Sequence, residues 1–399
     1  MRYLFMNGTV VLTDRLVRNG AVLVQGDHIE QVFLQSVPEA LLQAEELQII
    51  DAGGGMILPG FIDIHVHGGG GDLVTDGTKD AIRRIVKLHA LHGTTSIVPT
   101  SSSCSDEDLR LFISNVNEIM REGSGSGDIL GSHLEGPYFA AGQKGAQQGD
   151  FLAIPDPQHT KEIISWGQGN ILRVDAAPEL PGMEEFARQL TAEGIMVSVG
   201  HSDATSQETL RAFDWGFSHI THLYCGHSAR RKRDQKVVCG VMEAAFLRDE
   251  VTVEIICDGC HVPAENLLMA MKFKGVDRVA LCTDAVRPGG IHYEGVTYLS
   301  AEENRGNPLL IEDGVAKLTD RSFFAGSITT TDRMLRVAHL DYGIPLPQVS
   351  TMMSLTPARL SGCAHRKGSL ERGKDADIVV MDPSFNVKHV FVRGMEIVE

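Results

Sequence analysis

Along the first 57 residues, apolar and polar positions alternate in short runs, Thr9 to Leu12, Ala21 to Val24, Ile29 to Leu34 and Leu47 to Ile50, separated by Asn-Gly and Gly-Asp turns. A period of two places successive side chains on opposite faces of an extended segment, so this stretch predicts a small all-β unit. The pattern returns near the carboxyl end, in Asp375 to Asp382 and His389 to Gly394. Strands at both ends around a different middle predict that the termini pair. Residues 1–57 with 365–399 are therefore expected to form a small β-sandwich domain, and residues 58–364 a second domain.

That middle alternates strand-like and helix-like segments. The strand candidates are Phe61 to His67, Thr94 to Thr100, Ile129 to Glu135, Leu172 to Ala176, Ile195 to His201, His219 to Tyr224, Val251 to Asp258 and Val279 to Asp284. Helical periodicity lies between them at Lys79 to Leu91 (Ile82, Ile85, Val86, Leu88), Asp106 to Met120 (Leu109, Phe112, Ile113, Val116) and Gly182 to Ala192. Eight such units predict an α/β fold, a (β/α)8 TIM barrel, whose site is built at the carboxyl ends of the strands.

Composition narrows the function classes. Of 399 residues, 43% are hydrophobic and 22% charged, the balance of a soluble globular chain. Thirty-six basic against 52 acidic residues give a net charge of -16, which argues against a nucleic-acid partner. No apolar run approaches the roughly 20 residues of a membrane helix, so no membrane partner is expected. The start, Met1 to Gly8, does not have the layout of a secretory signal, and a cytoplasmic location is expected. Seven scattered cysteines suit a reducing compartment; the lone Cys257-Asp258-Gly259-Cys260 is read as core thiol.

The candidate chemistry gathers on one rim. In Pro59-Gly60-Phe61-Ile62-Asp63-Ile64-His65-Val66-His67-Gly68, strand alternation aims His65 and His67 the same way, at the strand's carboxyl end. Glu135 ends the third strand, His201 the fifth and Asp284 the eighth, while His222 lies in the sixth. Nitrogen and oxygen donors without thiolate describe a site for zinc, iron, manganese or a similar divalent ion, with a position left open for water. His133 shares a face with Glu135, which leaves a supporting role and plain packing both open. His28, His89, His92, His159, His292, His339, His365 and His389 fall away from this rim and are read as surface or core packing.

The chain resembles the amidohydrolase superfamily and, within it, the N-acetylglucosamine-6-phosphate deacetylases. The broad marks are the Pro59 to His67 strand, Asp284 and Gly373-Lys374-Asp375-Ala376-Asp377-Ile378-Val379. The narrower ones are His133-Leu134-Glu135-Gly136-Pro137-Tyr138, Lys144-Gly145-Ala146, Gly200-His201-Ser202, Thr221-His222-Leu223-Tyr224, Asp258-Gly259-Cys260-His261, Thr283-Asp284-Ala285 and Ala325-Gly326-Ser327. The resemblance implies Glu135, His201 and His222 as principal metal ligands, and His65 and His67 as a second subsite alongside Asp284. It implies one or two divalent ions per subunit: zinc first, with iron, manganese, cobalt or nickel as alternatives. Asp284 is implied as the catalytic acid and base, His261 as a catalytic group that orients the acetyl carbonyl, and a homodimer as the assembly.

The family pattern is broken where substrate binds. After Thr-His-Leu-Tyr relatives usually continue Asn-Ala-Met and later supply an arginine that reaches a neighbouring subunit's phosphate; here Cys225-Gly226-His227-Ser228-Ala229 runs into Arg230-Arg231-Lys232-Arg233. That basic run is either a replacement anion site or a solvated loop. Gln147 stands where many relatives have histidine. The expected substrate contacts are Gln147, Gly226, His227, Arg230, Arg231, His261 and Ser327. The expected activity is removal of the acetyl group of an amino sugar, N-acetylglucosamine-6-phosphate above others. The alternative is another acetylated sugar, epimeric, sulfated or unphosphorylated, or another amide or cyclic amide.

Overall fold

Eight strands carry the middle of the chain: β1 (Phe61–Val66), β2 (Thr94–Ser101), β3 (Ser132–Glu135), β4 (Ile171–Ala176), β5 (Met196–Val199), β6 (Phe217–Ile220), β7 (Thr252–Ile256) and β8 (Val279–Cys282). The computed structural model, which describes residues 1–299 and 307–398, pairs them in parallel and in chain order, with helices between. This is the (β/α)8 barrel that the alternation predicts. The first two helices of the barrel, α1 (Lys79–Leu91) and α2 (Asp106–Glu122), start where Thr78 and Ser105 accept from the backbone N–H of Ala81 and Asp108. Their buried stripes include Ile82, Ile85 and Val86, and Leu109, Phe112, Ile113 and Val116.

Side chains help to close the ring. The Asp63 carboxylate of β1 accepts from the backbone N–H of His65 (3.2 Å) and of Thr283 (3.3 Å) and from the Thr283 hydroxyl. Asp284 N–H donates to the His65 carbonyl (3.0 Å), and His67 N–H to that of Ala285 (2.9 Å). β1 is thereby held against the end of β8, where His65, His67 and Asp284 meet.

The strands end earlier than the sequence pattern suggests. His201, His222 and Asp284 all lie just past their strands with left-handed backbone, φ 46°, 28° and 49°. Such backbone is costly for non-glycine residues and persists where surrounding structure over-determines it. The third strand candidate also splits, Asp128–Ile129 pairing with β2 before β3 begins. Gly131 makes the break at φ 148°, and a Cβ there would lie 2.6 Å from the Asn170 carbonyl oxygen.

Both chain ends enter one eight-stranded sheet, as the small β-sandwich. Met56–Pro59 runs between Arg2–Val11 and Ile378–Met381, so a strand from each terminal segment flanks the entry into β1. Tyr3, Phe5, Val22, Ile57, Ile378 and Phe391 fill its core, with the Phe5 and Phe391 rings edge-on at 4.8 Å. A three-stranded sheet (Gly295–Tyr298, Pro308–Glu312, Val315–Leu318) follows β8 and packs Leu309 and Ile311 against Val286 above the barrel mouth. Among the described residues, no helix is long and apolar enough to cross a membrane.

Lys367 ties the terminal sheet to the barrel. Its side chain is fully buried, with the ammonium 2.9 Å from Asp128, 3.1 Å from Asp375 and in contact with Asp377. Burial opposes the Lys367 charge, but the charges of Asp377 and Asp128 outweigh it and hold the pKa above the usual lysine value. Lys367→Met strands these carboxylates and is expected to cost about 3–5 kcal/mol. A denaturant melt reads the loss, and Arg366→Met, at a more exposed partner of two of these acids, Asp128 and Asp375, costs less.

Candidate metal centre and cavity

Four imidazoles face two carboxylates at the mouth of the barrel. His201 Nε2 and His222 Nε2 each lie 3.0 Å from Glu135 Oε1, and His65 Nε2 lies 3.7 Å from the same oxygen. His67 Nε2 is 3.3 Å from Glu135 Oε2 and 3.2 Å from Asp284 Oδ1, while His65 Nε2 is 3.5 Å from Asp284 Oδ1. Two triads could each hold an ion, Glu135 with His201 and His222, and Asp284 with His65 and His67; within each, the donor atoms lie within 4.8 Å of one another. All six residues are buried.

The other nitrogen of every ring is committed. Nδ1–H donates to a backbone carbonyl in His67 (Thr100, 3.0 Å), His201 (Gln143, 2.8 Å) and His222 (Cys225, 3.1 Å), and to Glu254 Oε1 in His65 (2.7 Å). An acceptor at Nδ1 fixes the tautomer, so the Nε2 lone pair is what points inward, the form that ligates a metal. Burial opposes charge on His67, yet hydrogen bonds to Asp284 and Glu135 outweigh it and raise its pKa to about 10. His222 rises to about 9 against the same burial, chiefly through its bond to Glu135. Burial works equally against ionising Glu135, and His201, His222 and His67 override it, holding the carboxyl well below its usual range. This donor set demands positive charge, and a divalent cation fits it.

Beneath the rim lies a charged floor that sequence reasoning missed. Arg173 Nη1 pairs with Glu254 Oε2 at 2.6 Å, and Arg173 Nη2 lies 2.8 Å from His133 Nδ1. His133 Nε2 is 2.8 Å from Asp175, and Glu254 Oε1 also accepts the backbone N–H of His222 at 3.2 Å. Glu254 thus braces both triads, one through the His65 ring and one through the His222 backbone. The signal was present as alternation: Arg173 and Asp175 fall between apolar residues of β4, and Glu254 breaks an apolar β7. Burial and then the Arg173 charge push His133 down to about 3, so it stays a neutral supporting ring.

A cavity of about 520 Å³ opens over the triads, lined among others by His67, Glu135, Gln147, His201, His222, Gly226, His227, His261 and Asp284. His261 is oriented by Asp258, whose Oδ2 accepts from Nδ1 at 2.8 Å, and its ring meets that of Phe324 at 4.8 Å between centroids. Gly226 passes His201 closely, since a Cβ there would lie 2.9 Å from Nδ1. His227 Nε2 donates to the Thr221 carbonyl at 2.7 Å, and burial followed by the His222 charge pushes its pKa down to about 3. It therefore lines the cavity as a neutral ring.

Three expected substrate contacts stand outside that lining. Ser327 is fully buried and bonds the Thr283 carbonyl, bracing the end of β8. Arg231 turns to Asp203, 3.2 Å from its carboxylate and 2.8 Å from its carbonyl, and exposed Arg230 meets Glu243 through its backbone N–H. The basic run forms a hairpin, Arg231–Arg233 against Lys236–Val238, in which only the backbone of Arg233 is described. Among the described lining residues, Lys144 supplies the lone ammonium or guanidinium group.

Residues 56–397 match the amidohydrolase family. The chain is 32% identical to the N-acetylglucosamine-6-phosphate deacetylase of Vibrio furnissii, over 85% of this chain and 82% of that protein. It is 30% identical to the N-acetylgalactosamine-6-phosphate deacetylase of Escherichia coli O157:H7, over 85% and 87%. Among solved structures it superposes on a mutant N-acetyl-D-glucosamine-6-phosphate deacetylase from Mycobacterium smegmatis in complex with N-acetyl-D-glucosamine-6-phosphate, with a TM-score of 0.90, 30% identity and full coverage of both chains. The chain belongs to the amidohydrolase family of metal-dependent carbon–nitrogen hydrolases and, within it, to the N-acetylglucosamine-6-phosphate deacetylases, as a divergent member.

Proposed function

We propose that this enzyme removes the N-acetyl group of N-acetylglucosamine-6-phosphate, giving glucosamine-6-phosphate and acetate. The observation that carries the proposal is the convergence of two nitrogen and oxygen triads on one cavity. Glu135, His201 and His222 would hold one divalent ion, and His65, His67 and Asp284 a second; zinc suits this donor set best. When bound, such an ion supplies a water acidified toward neutral pH and a Lewis acid for the carbonyl.

The chain's own groups then move the proton. Burial resists ionisation of Asp284, but the positive charge facing it outweighs that, from His65 and then His67 in the free site and from the ion in their place when one is bound, and keeps the carboxylate ready as a base. It takes the proton of the attacking water as the carbon–oxygen bond forms. It returns that proton to the nitrogen as the carbon–nitrogen bond breaks, so the amine leaves neutral. His261, fixed by Asp258, orients the acetyl carbonyl through Nε2. Gly226 and His227 border the sugar, and Lys144 offers positive charge within the cavity.

The phosphate needs more than one ammonium, and Arg230 with Arg231, at the start of the basic hairpin, is the candidate source, acting in trans within a homodimer. Asp203 links this hairpin to the cavity edge, since it pairs with Arg231 and accepts from Gln143. The division into a terminal unit (1–57 with 365–399) and a catalytic barrel (58–364) belongs to this proposal. A cytoplasmic location does too, supported by seven cysteines that are all free thiols. The galactosamine epimer is the second candidate substrate, favoured by the similarity to the Escherichia coli enzyme and by the altered Cys225 to Ser228 loop.

Acetate release from zinc- or manganese-loaded protein tests the assignment, using the two acetylated hexosamine 6-phosphates, their 6-sulfates and the unphosphorylated sugars. Turnover is expected on the glucosamine 6-phosphate; none on any member, with metal bound, overturns the assignment. Dialysis against a chelator is expected to abolish turnover, and added zinc to restore it. Asp284→Asn keeps an oxygen donor and should retain metal by elemental analysis while kcat falls about 10²–10⁴-fold. Glu254→Gln loosens the His65 ring and should weaken metal binding by about tenfold or more, read by titration of the chelator-stripped protein.

A further inference from the structure

The Gln147 side chain is held at both ends. Ser103 N–H donates to its Oε1 at 2.7 Å, which fixes the orientation of the amide, and its Nε2 donates to Glu135 Oε2. Its backbone carbonyl accepts from Asn307 Nδ2 at 3.1 Å and Lys144 Nζ at 3.3 Å, and the residue is only 6% exposed. The two oxygens of Glu135 consequently keep different company. Oε1 faces His201 and His222 at 3.0 Å, with His65 farther off at 3.7 Å, whereas Oε2 carries the amide and faces His67 at 3.3 Å.

We propose that Gln147 is a positioning residue for Glu135 that makes the two metal subsites unequal. It sets the rotation of the carboxylate so that Oε1 completes the His201–His222 triad. It also occupies Oε2, the oxygen nearer His67, through which Glu135 would otherwise serve the His65–His67–Asp284 subsite most directly. An oxygen already accepting an N–H has less electron density to give a cation, so that second subsite relies on its own three side chains and binds its ion more weakly. A histidine that turned to the substrate would leave this oxygen free. The inference rests on the metal-centre assignment and adds the order in which the subsites fill.

Zinc titration of the chelator-stripped full chain by calorimetry, with metal content checked after dialysis, tests it. The wild type is expected to bind one tight ion and a second at least about tenfold more weakly. Gln147→Leu, similar in length but without a donor, should narrow that gap by about tenfold, and Gln147→Glu, which adds an anion, should narrow it further. In Gln147→Leu, kcat for the acetylated sugar should change more than KM does, as for a residue that acts through Glu135. Equal affinities in the wild type, or a gap unchanged in both variants, overturn the inference. So does a raised KM with the gap unmoved, which would mark Gln147 as a substrate contact. Absence of any zinc binding overturns the metal-centre assignment itself, a different outcome. Circular dichroism confirms that both variants fold.

Discussion

A single constraint organises this molecule: four imidazole Nε2 atoms must face the Glu135 and Asp284 carboxylates in one buried site. Each ring meets it the same way, by committing its Nδ1 proton to an acceptor behind it, three backbone carbonyls and one carboxylate. Those carbonyls belong to Thr100, Gln143 and Cys225, at the end of β2 and in the loops after β3 and β6. Loop conformation and ring tautomer are therefore set together, and a change in either disturbs the other.

Charges buried at such density need partners, because removing an ion from water costs several kcal/mol unless geometry and hydrogen bonds offset it. The barrel provides them in a layer below. Arg173 holds Glu254 low against the opposing effect of burial, and Glu254 in turn steadies the His65 ring and the His222 backbone. Asp63 performs a related service between β1 and β8. Its burial raises its pKa to about 7, opposed by bonds from the Thr283 hydroxyl and two backbone N–H groups. The interior of this barrel is thus a graded polar stack, with apolar packing displaced to the outside of the ring, where the helices lie.

Over the two triads, the walls of the cavity are less uniform. One face is apolar, with Leu299, Leu318, Phe323 and Phe324 contributed by the insert after β8; the other carries Gln143, Lys144 and Gln147. His227 adds no charge, and the basic hairpin points its Arg231 at Asp203 within its own chain. Lys144 is consequently the one ammonium or guanidinium group among the described residues that line the cavity.

Much of this was legible in the sequence. Period-two and period-3.6 patterns mark the barrel strands and helices because burial on one face is a local constraint, repeated every few residues. His65, His67, Glu135, His201, His222 and Asp284 could be placed on one rim because parallel strands in a barrel all end on the same side. Other features were not legible, for reasons of distance. Glu254 and Arg173 lie 81 positions apart, and nothing local shows that their charges meet. Nor does anything local show that the Gln147 amide spans Ser103, 44 residues before it, and Glu135. The same holds for His227 and Arg231, whose partners are fixed by loop paths and not by strand alternation. The sequence by itself determined the barrel, the pairing of its ends and the chemical type of the site. Tertiary structure alone decided which nitrogen faces inward, which oxygen is already occupied and which cation is already spent on a neighbour, because those depend on hydrogen bonds between segments far apart in the chain.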